Sequence, residues 1–326
     1  MSDAPILAVE GLRVDFPVGG GFFGGPKAVV RAVEDVSFSM ARGEVLGIVG
    51  ESGSGKTTLG RAVMRLIEPG AGSVRFEGRE LIGLAEAEMR AVRARMQIVF
   101  QDPYASLNPR MTIGDAVAEA MLLNGVGTRA DRSGRVADLL GKVGLPRGAA
   151  ERFPAEFSGG QRQRAGIARA LAVNPVFLLA DEPVSALDVS IQAQILNLLR
   201  DLQEELGLSL LFIGHDLGVV EYICGRVLIL YLGRVMEIGA TEDIYRRPRH
   251  PYTRALLDAA PRVSGPRRAE AAVLAGEPPS PMDKPSGCVF RTRCAFALPE
   301  CALAVPPLRD LGGGHSSACI RDDLAL

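Results

Sequence analysis

The sequence predicts an α/β protein built around a parallel sheet. Two continuous apolar runs, residues 176–180 and 209–213, are typical of central strands that are buried on both faces. A third apolar run, residues 47–49, leads into a glycine-rich turn and then into a helical pattern. Strands that alternate with helices in this way indicate an α/β core.

Length and charge limit the classes of protein that remain. The chain has 326 residues, which is more than one small core needs, and 37 basic residues stand against 38 acidic ones. This balance argues against a protein that binds nucleic-acid duplexes. No apolar run approaches the roughly 20 residues of a membrane span, and no secretory signal opens the chain. We therefore expect a soluble, cytoplasmic protein that could serve a membrane only from its surface.

The glycine-rich turn matches the phosphate-binding pattern G-x-x-x-x-G-K-T. Its glycines let successive backbone N–H groups point at phosphates. Lys56 is expected to reach the β- and γ-phosphates, and the Thr57 hydroxyl to ligate Mg²⁺. The predicted nucleotide-binding residues here are Gly50, Glu51, Ser52, Gly53, Ser54, Gly55, Lys56, Thr57 and Thr58.

A second set of chemical groups follows the other two strands. The run 177–180 ends in Asp181 and Glu182, which places two carboxylates at the ligand-binding edge of an open sheet. Asp181 suits Mg²⁺, and Glu182 is placed to act as general base on an attacking water. His215, one of three histidines, follows the strand at 209–213 and is expected to contact the γ-phosphate.

The stretch Ser158-Gly159-Gly160-Gln161 is the most specific signal in the chain. Ser158 is expected to cap a helix over 159–172, and the small residues leave the first N–H groups of that helix open to an anion.

Together these motifs resemble the ABC ATPase family over residues 6–255. In that family 50–58 is Walker A, 158–161 the signature, 177–182 Walker B and His215 the switch histidine. Gln101 matches the Q-loop, and Asp188 closes the D-loop at 185–188. The resemblance implies a P-loop NTPase fold with a RecA-like core and an ABC helical subdomain. It implies ATP as substrate, with Mg²⁺ held by Thr57, Gln101 and Asp181. It also implies a head-to-tail dimer in which the Walker A loop of one subunit faces the signature of the other.

Three longer stretches resemble the ATPase subunits of oligopeptide and dipeptide importers: 101–112, 181–190 and 249–257. The fit is better to the second, F-type subunit. The implied partners are a homologous ATPase subunit, two transmembrane permease subunits and a solute-binding protein, with the chain peripheral on the cytoplasmic face. The alternative hypotheses for function are a soluble ABC ATPase that acts on nucleic acid or ribosomes and a catalytically silent regulator. The alternative cargo is nickel or another small solute. The presence of both Glu182 and His215 disfavours the silent regulator.

The domain division expected from these matches is an ATPase domain over 1–255 and a Pro/Cys-rich extension over 256–326. Within the first, the core would cover 1–100 and 175–255 and the helical subdomain 101–174. One departure concerns adenine, since 27–32 lacks the usual stacking aromatic. Phe22 or Phe23 could reach the base, or an aliphatic residue such as Val30 could serve, so the adenine contact stays unassigned.

Four of the five cysteines lie in the extension, with the spacing C-x5-C-x6-C-x17-C. That spacing does not fit the short pairs of structural zinc sites. Four thiolates could hold a [4Fe–4S] cluster, as is associated with some of the resembled subunits; zinc and four free thiols are the alternatives. The four are Cys288, Cys294, Cys301 and Cys319. Cys224, inside an apolar segment, is expected to be a core residue.

Overall fold

The computed structural model describes residues 4–19, 28–259, 276–324 and Leu326. Its residues fall into two compact units. The first is bounded by Met1–Met40, Val45–Ile82 and Gly214–Leu326, and the second by Ala41–Glu44 and Gly83–Ile213. The domain division drawn from the sequence stays a prediction.

The first unit contains an antiparallel sheet in the order β2-β1-β4-β5. Its strands are β1 Leu7–Val18, β2 Ala28–Met40, β4 Ala71–Phe76 and β5 Arg79–Glu80. Apolar side chains such as Leu7, Leu12 and Val33 are fully buried.

A second group of strands in the same unit has the order β11-β12-β10-β9-β3. They are β3 Val45–Val49, β9 Arg226–Tyr231, β10 Arg234–Ala240, β11 Arg309–Asp310 and β12 Ser316–Ser317. β3 and β9 are parallel, with Gly47 opposite Val227, and β10 runs antiparallel to β9. The helices of this unit are α1 Lys56–Val63, α8 Leu217–Ile223, α9 Thr241–Arg246 and α10 Pro251–Ala259.

The second unit has three parallel strands in the order β8-β7-β6. They are β6 Met96–Val99, β7 Phe177–Asp181 and β8 Ser209–Gly214. Every residue of β7 and β8 is buried, which confirms the two apolar runs as central strands. The helices are α2 Glu86–Arg95, α3 Pro103–Ser106, α4 Ile113–Leu123, α5 Arg132–Lys142, α6 Gly159–Leu171 and α7 Val189–Leu206.

Local sequence explains where several helices begin. Thr112 accepts a hydrogen bond from the Asp115 N–H at the start of α4, and Asp216 accepts from the Gly218 N–H at the start of α8. Such side-chain caps satisfy N–H groups that have no partner within the helix.

No helix in the described ranges combines the length and the apolar character that crossing a membrane requires.

Candidate functional site

The glycine-rich turn joins β3 to α1, as the sequence predicts, and two of its glycines are required by close backbone contacts. A Cβ on Gly50 would lie 2.1 Å from the Leu230 carbonyl oxygen. A Cβ on Gly55 would lie 2.3 Å from the Ala32 carbonyl oxygen, and Gly55 also has a φ of +102°. Any side chain at either position would collide with backbone, so the loop depends on glycine here.

Lys56 lies inside this loop. Its side chain is buried, and its Nζ donates to the Gly50 carbonyl at 2.7 Å and to the Glu51 carbonyl at 2.9 Å. The ammonium therefore lies against the curled backbone at the start of α1, where the helix dipole also favours an anion.

The Ser54 hydroxyl is buried and has no hydrogen-bond partner among the described residues. A buried polar atom left in this state is costly, and a ligand oxygen would satisfy it. Thr57 and Thr58 are half-buried at the start of α1, and Ser52 and Gly53 are exposed. The loop thus fits a phosphate ligand.

The two acids predicted from the sequence lie at the end of β7. Asp181 is buried, and Glu182 is half-buried. Glu182 has a φ of +46°, a left-handed conformation that costs a residue with a side chain about 1–3 kcal/mol. Its N–H donates to the Ile213 carbonyl at 3.0 Å, which holds the strained residue at the strand end.

Gln101 contacts this acid directly. Its Nε2 donates to Glu182 Oε2 at 3.0 Å, although the two residues are far apart in the sequence. The amide fixes the orientation of a carboxylate that could accept a proton from water.

The signature stretch begins α6. Ser158 Oγ accepts from the Gln161 N–H at 3.3 Å, and Gln161 Oε1 accepts from the Ser158 N–H at 3.0 Å. This reciprocal pair is a capping box and confirms Ser158 as the helix cap. Ser158 itself is exposed at the surface.

The two glycines of the signature make room for the segment after β7. A Cβ on Gly159 would lie 3.2 Å from the Leu187 side chain, and one on Gly160 would lie 2.5 Å from the Ile191 side chain. Gln192 Nε2 donates to the Leu187 carbonyl at 3.0 Å and so fixes this segment. Asp188 is exposed beside it, at the start of α7. In this unit the structure therefore groups the signature with the D-loop.

His215 follows β8 and is exposed. It belongs to the first unit with residues 50–58, whereas Gln101, Asp181, Glu182, Asp188 and the signature belong to the second. The adenine candidates Phe22 and Phe23 lie outside the described residues, and Val30 is half-buried in β2.

The four cysteines of the extension line one small apolar cavity together with Phe290. The Cys288 N–H donates to the Cys301 carbonyl at 2.8 Å. Burial raises the pKa of Cys288 and Cys319, and raises that of Cys294 to about 11. Among the described residues, no three ligand-type side chains meet the geometry for a single metal ion. Cys224 is buried beneath Gly47, which confirms it as a core residue.

Two residues near the phosphate loop were missed by the sequence reasoning. The Tyr252 hydroxyl accepts from the Glu51 N–H at 3.0 Å, and Arg293 forms a bidentate ion pair with the Glu51 carboxylate. The sequence around Tyr252 indicates only a resemblance to peptide importers and no contact with the phosphate loop. Nothing in the sequence around Arg293 indicated a partner.

Comparison with known proteins gives two matching family models. One, described as ABC transporter, matches residues 33–185. The other, described as oligopeptide/dipeptide transporter, C-terminal region, matches residues 236–301.

Curated relatives match over nearly the whole chain. A protein of Brucella ovis named for peptide import and ATP binding is 56% identical, covering 99% of this chain and 100% of its own. The oligopeptide transport ATP-binding protein AppF of Bacillus subtilis is 49% identical, covering 96% of each chain.

Solved structures also match. An ATP-binding cassette solved as a dimer after hydrolysis, with ADP and phosphate bound, superposes with a TM-score of 0.64 at 29% identity and covers 72% of this chain and 98% of its own. The protein CbiO1 of Clostridium perfringens, described as part of the ABC transporter complex CbiONQ, superposes with a TM-score of 0.64 at 27% identity and covers 74% of this chain and 90% of its own.

Proposed function

The chain belongs to the peptide-importer family of ABC transporter ATP-binding proteins, and from this premise we propose how its residues share the hydrolysis of ATP. It is an ATPase subunit that energises the import of peptides by an ABC transporter. The observation that carries the division of roles is the Gln101–Glu182 hydrogen bond, because it orients a carboxylate at the end of a buried strand.

The proposed roles follow the chemistry of each group. Lys56 binds the β- and γ-phosphates, together with the backbone N–H groups of residues 50–58. Thr57, Gln101 and Asp181 would hold Mg²⁺, and the bound ion would neutralise part of the negative charge of the phosphates. Glu182 takes the proton of the attacking water, and His215 contacts the γ-phosphate.

The signature and the D-loop act in a dimer. Ser158, Gly159, Gly160 and Gln161 offer a capped helix start to a phosphate held by a second ATPase subunit, with Asp188 beside them. An exposed Ser158 at the N-terminus of a 13-residue helix supports this assignment. ATP then stabilises the dimer until it is hydrolysed.

The proposed partners are a homologous ATPase subunit, two permease subunits and a solute-binding protein. The proposed location is the cytoplasmic face of the membrane, where the chain is peripheral. Nucleic acid is not among the proposed partners, since the net charge is -1.

Reconstitution tests the function. The transporter encoded with this chain is placed in proteoliposomes, and uptake of a labelled dipeptide or oligopeptide is measured with and without ATP on the subunit's side. Uptake that requires ATP, and stops with Glu182→Gln, supports the proposal. Uptake of Ni²⁺ instead of peptide would show that the transported solute is nickel. A subunit that purifies only with RNA or DNA would overturn the transporter role.

We further propose that Cys288, Cys294, Cys301 and Cys319 hold a [4Fe–4S] cluster. The donor set fits, because four thiols line one cavity and thiolates are the soft ligands that iron–sulfur clusters take. A four-iron cluster also holds its ligands further apart than a single metal ion does. The described residues offer no single-ion site, but that geometry is not the one a cluster needs. Such a cluster would supply redox chemistry or rigidity to the extension.

Metal analysis of anaerobically purified protein decides this point. About four irons with visible absorbance, lost in a Cys294→Ser variant, support the cluster. Stoichiometric zinc, or four titratable thiols without metal, would contradict it.

A further inference from the structure

Glu51 is the second residue of the phosphate loop, and the structure holds it at three points. Its N–H donates to the Tyr252 hydroxyl at 3.0 Å, and its carbonyl accepts from Lys56 Nζ at 2.9 Å. Its carboxylate meets both terminal nitrogens of Arg293, at 2.6 and 3.1 Å. Planar guanidinium–carboxylate pairs of this kind fix orientation as well as charge.

The pair is shielded from solvent. The Arg293 side chain is 5% exposed and that of Glu51 is 22% exposed, so most of the pair is removed from water. Arg293 also donates to the Tyr231 hydroxyl at 3.3 Å. The hydrogen bond from Arg293 to Glu51 raises the pKa of the guanidinium, which therefore stays charged.

Arg293 comes from the cysteine-bearing extension. It lies in the turn between Cys288 and Cys294, directly before Cys294. Phe290, in the same turn, is buried against Tyr252 and Tyr231, with ring centroids 5.1 and 5.4 Å apart. The aromatic cluster and the ion pair thus fasten this turn to the start of the phosphate loop.

Because Glu51 is negatively charged, its contact with Arg293 can affect the binding of ATP. A carboxylate in a loop that wraps a triphosphate repels the ligand, and this repulsion is strong where water is excluded. We propose that Arg293 is a positioning residue of the nucleotide site, which neutralises and orients Glu51 so that the loop accepts ATP, and that the cysteine-bearing turn thereby sets ATP affinity. This inference rests on the proposed binding of ATP at residues 50–58.

The prediction is a defect in binding rather than in chemistry. Arg293→Ala should weaken equilibrium binding of Mg·ATP by about tenfold or more, because it leaves an uncompensated carboxylate in the loop that is proposed to bind the phosphates. The KM for ATP should rise while kcat changes little, since Arg293 contacts no reacting atom. Raising the salt concentration should reduce the defect, because salt screens the repulsion.

A double variant separates electrostatics from structure. The Glu51→Gln substitution removes the repulsive charge that Arg293→Ala leaves uncompensated. In Glu51→Gln/Arg293→Ala the affinity should recover most of the loss. Arg293→Lys, which keeps the charge but not the bidentate geometry, should lie between Arg293→Ala and the wild type.

The matched control is Arg309→Ala. Arg309 also forms a bidentate pair in the extension, with Asp322, but has no contact with the phosphate loop among the described hydrogen bonds. It should bind ATP like the wild type. ATP binding to all variants is measured by isothermal titration of the full chain, and thermal melting identifies any variant that unfolds. If Arg293→Ala unfolds, the ATP affinities of the double variant and of Arg293→Lys test the inference instead.

Two results would overturn the inference: Arg293→Ala binding within twofold of the wild type, or a double variant as weak as Arg293→Ala. A wild-type chain that binds no ATP would instead overturn the proposed function, so the two failures are distinguishable.

Discussion

The phosphate loop and the hydrolytic residues are built in different ways. Around the loop, Lys56 is buried, Gly50 and Gly55 are confined by backbone contacts, and Glu51 is held at three points. Glu182 is instead half-buried in a strained conformation, and Gln101, His215 and Ser158 are exposed. If these residues have the roles proposed above, the contrast teaches that the ATP-binding loop is prepared within the chain, while the proposed hydrolytic groups lie where a second subunit could complete them.

The largest effect on activity should come from a variant that separates ATP binding from ATP hydrolysis. Glu182→Gln should lower ATP turnover by roughly 10²–10⁴-fold, because the amide cannot accept the proton of water. Binding of Mg·ATP should remain within a few-fold of the wild type. Steady-state phosphate release and equilibrium ATP titration measure the two quantities. The contrast fails if the variant hydrolyses ATP at the wild-type rate.

A second test concerns the rigidity of the loop. Gly50→Ala should destabilise the fold by about 1–3 kcal/mol, since its Cβ meets a backbone oxygen that cannot move away alone. ATP binding should weaken with it. The matched control is Gly141→Ala in α5, where nothing lies within 4 Å of the added Cβ and φ is ordinary.

Because glycine is unfavourable inside a helix, Gly141→Ala should stabilise the fold by about 0.5–1 kcal/mol. Chemical denaturation of both variants gives the comparison. Equal stability of Gly50→Ala and the wild type would show that the close approach to Leu230 does not constrain the loop.

The same contrast shows what the sequence could predict. The turn between β3 and α1, the buried strands β7 and β8 and the Ser158 cap all follow from local patterns, and the structure confirms each. Arg293 and Glu51 are 242 positions apart, and Tyr252 and Glu51 are 201 apart. Their pairing depends on the path of the whole chain, which no local pattern records. The positive φ of Glu182 was equally hidden, because neither glycine nor asparagine marks that position.

A smaller effect should come from the hydrogen bond between the two hydrolytic groups. Gln101→Ala frees the Glu182 carboxylate from its orienting amide, so kcat should fall by roughly tenfold, less than in Glu182→Gln. The KM for ATP should change little if the amide acts only on Glu182. Steady-state kinetics at saturating Mg²⁺ test this; an unchanged kcat would remove Gln101 from the hydrolytic group.

The smallest effect concerns a second link between the extension and the region of the loop. Lys284 Nζ donates to Glu34 at 3.0 Å, and Arg234 pairs with the same carboxylate at 2.8 Å. Burial alone would raise the pKa of Glu34, but the hydrogen bond and charge of Lys284, with Arg234, outweigh burial and lower it.

Because the folded-state pKa lies below the unfolded one, the network stabilises the fold above an unfolded pKa of about 4.3. This stabilisation is lost as the pH falls through the folded-state pKa. Glu34→Gln should therefore lower the melting temperature at neutral pH, and the difference from the wild type should disappear once the pH falls below the lowered folded-state pKa of Glu34. A difference that is independent of pH would contradict the assignment.

The most direct test of the central claim, a prepared binding half completed by a second subunit, is the mass of the Glu182→Gln chain in solution, alone and with its homologous ATPase subunit. With Mg·ATP, light scattering should show the mass of one of these samples doubling from monomer to dimer, because unhydrolysed ATP holds two subunits together. Replacing ATP with ADP should return the mass to that of the monomer. If both samples bind ATP and yet keep the monomer mass, ATP does not join two chains and the account is wrong.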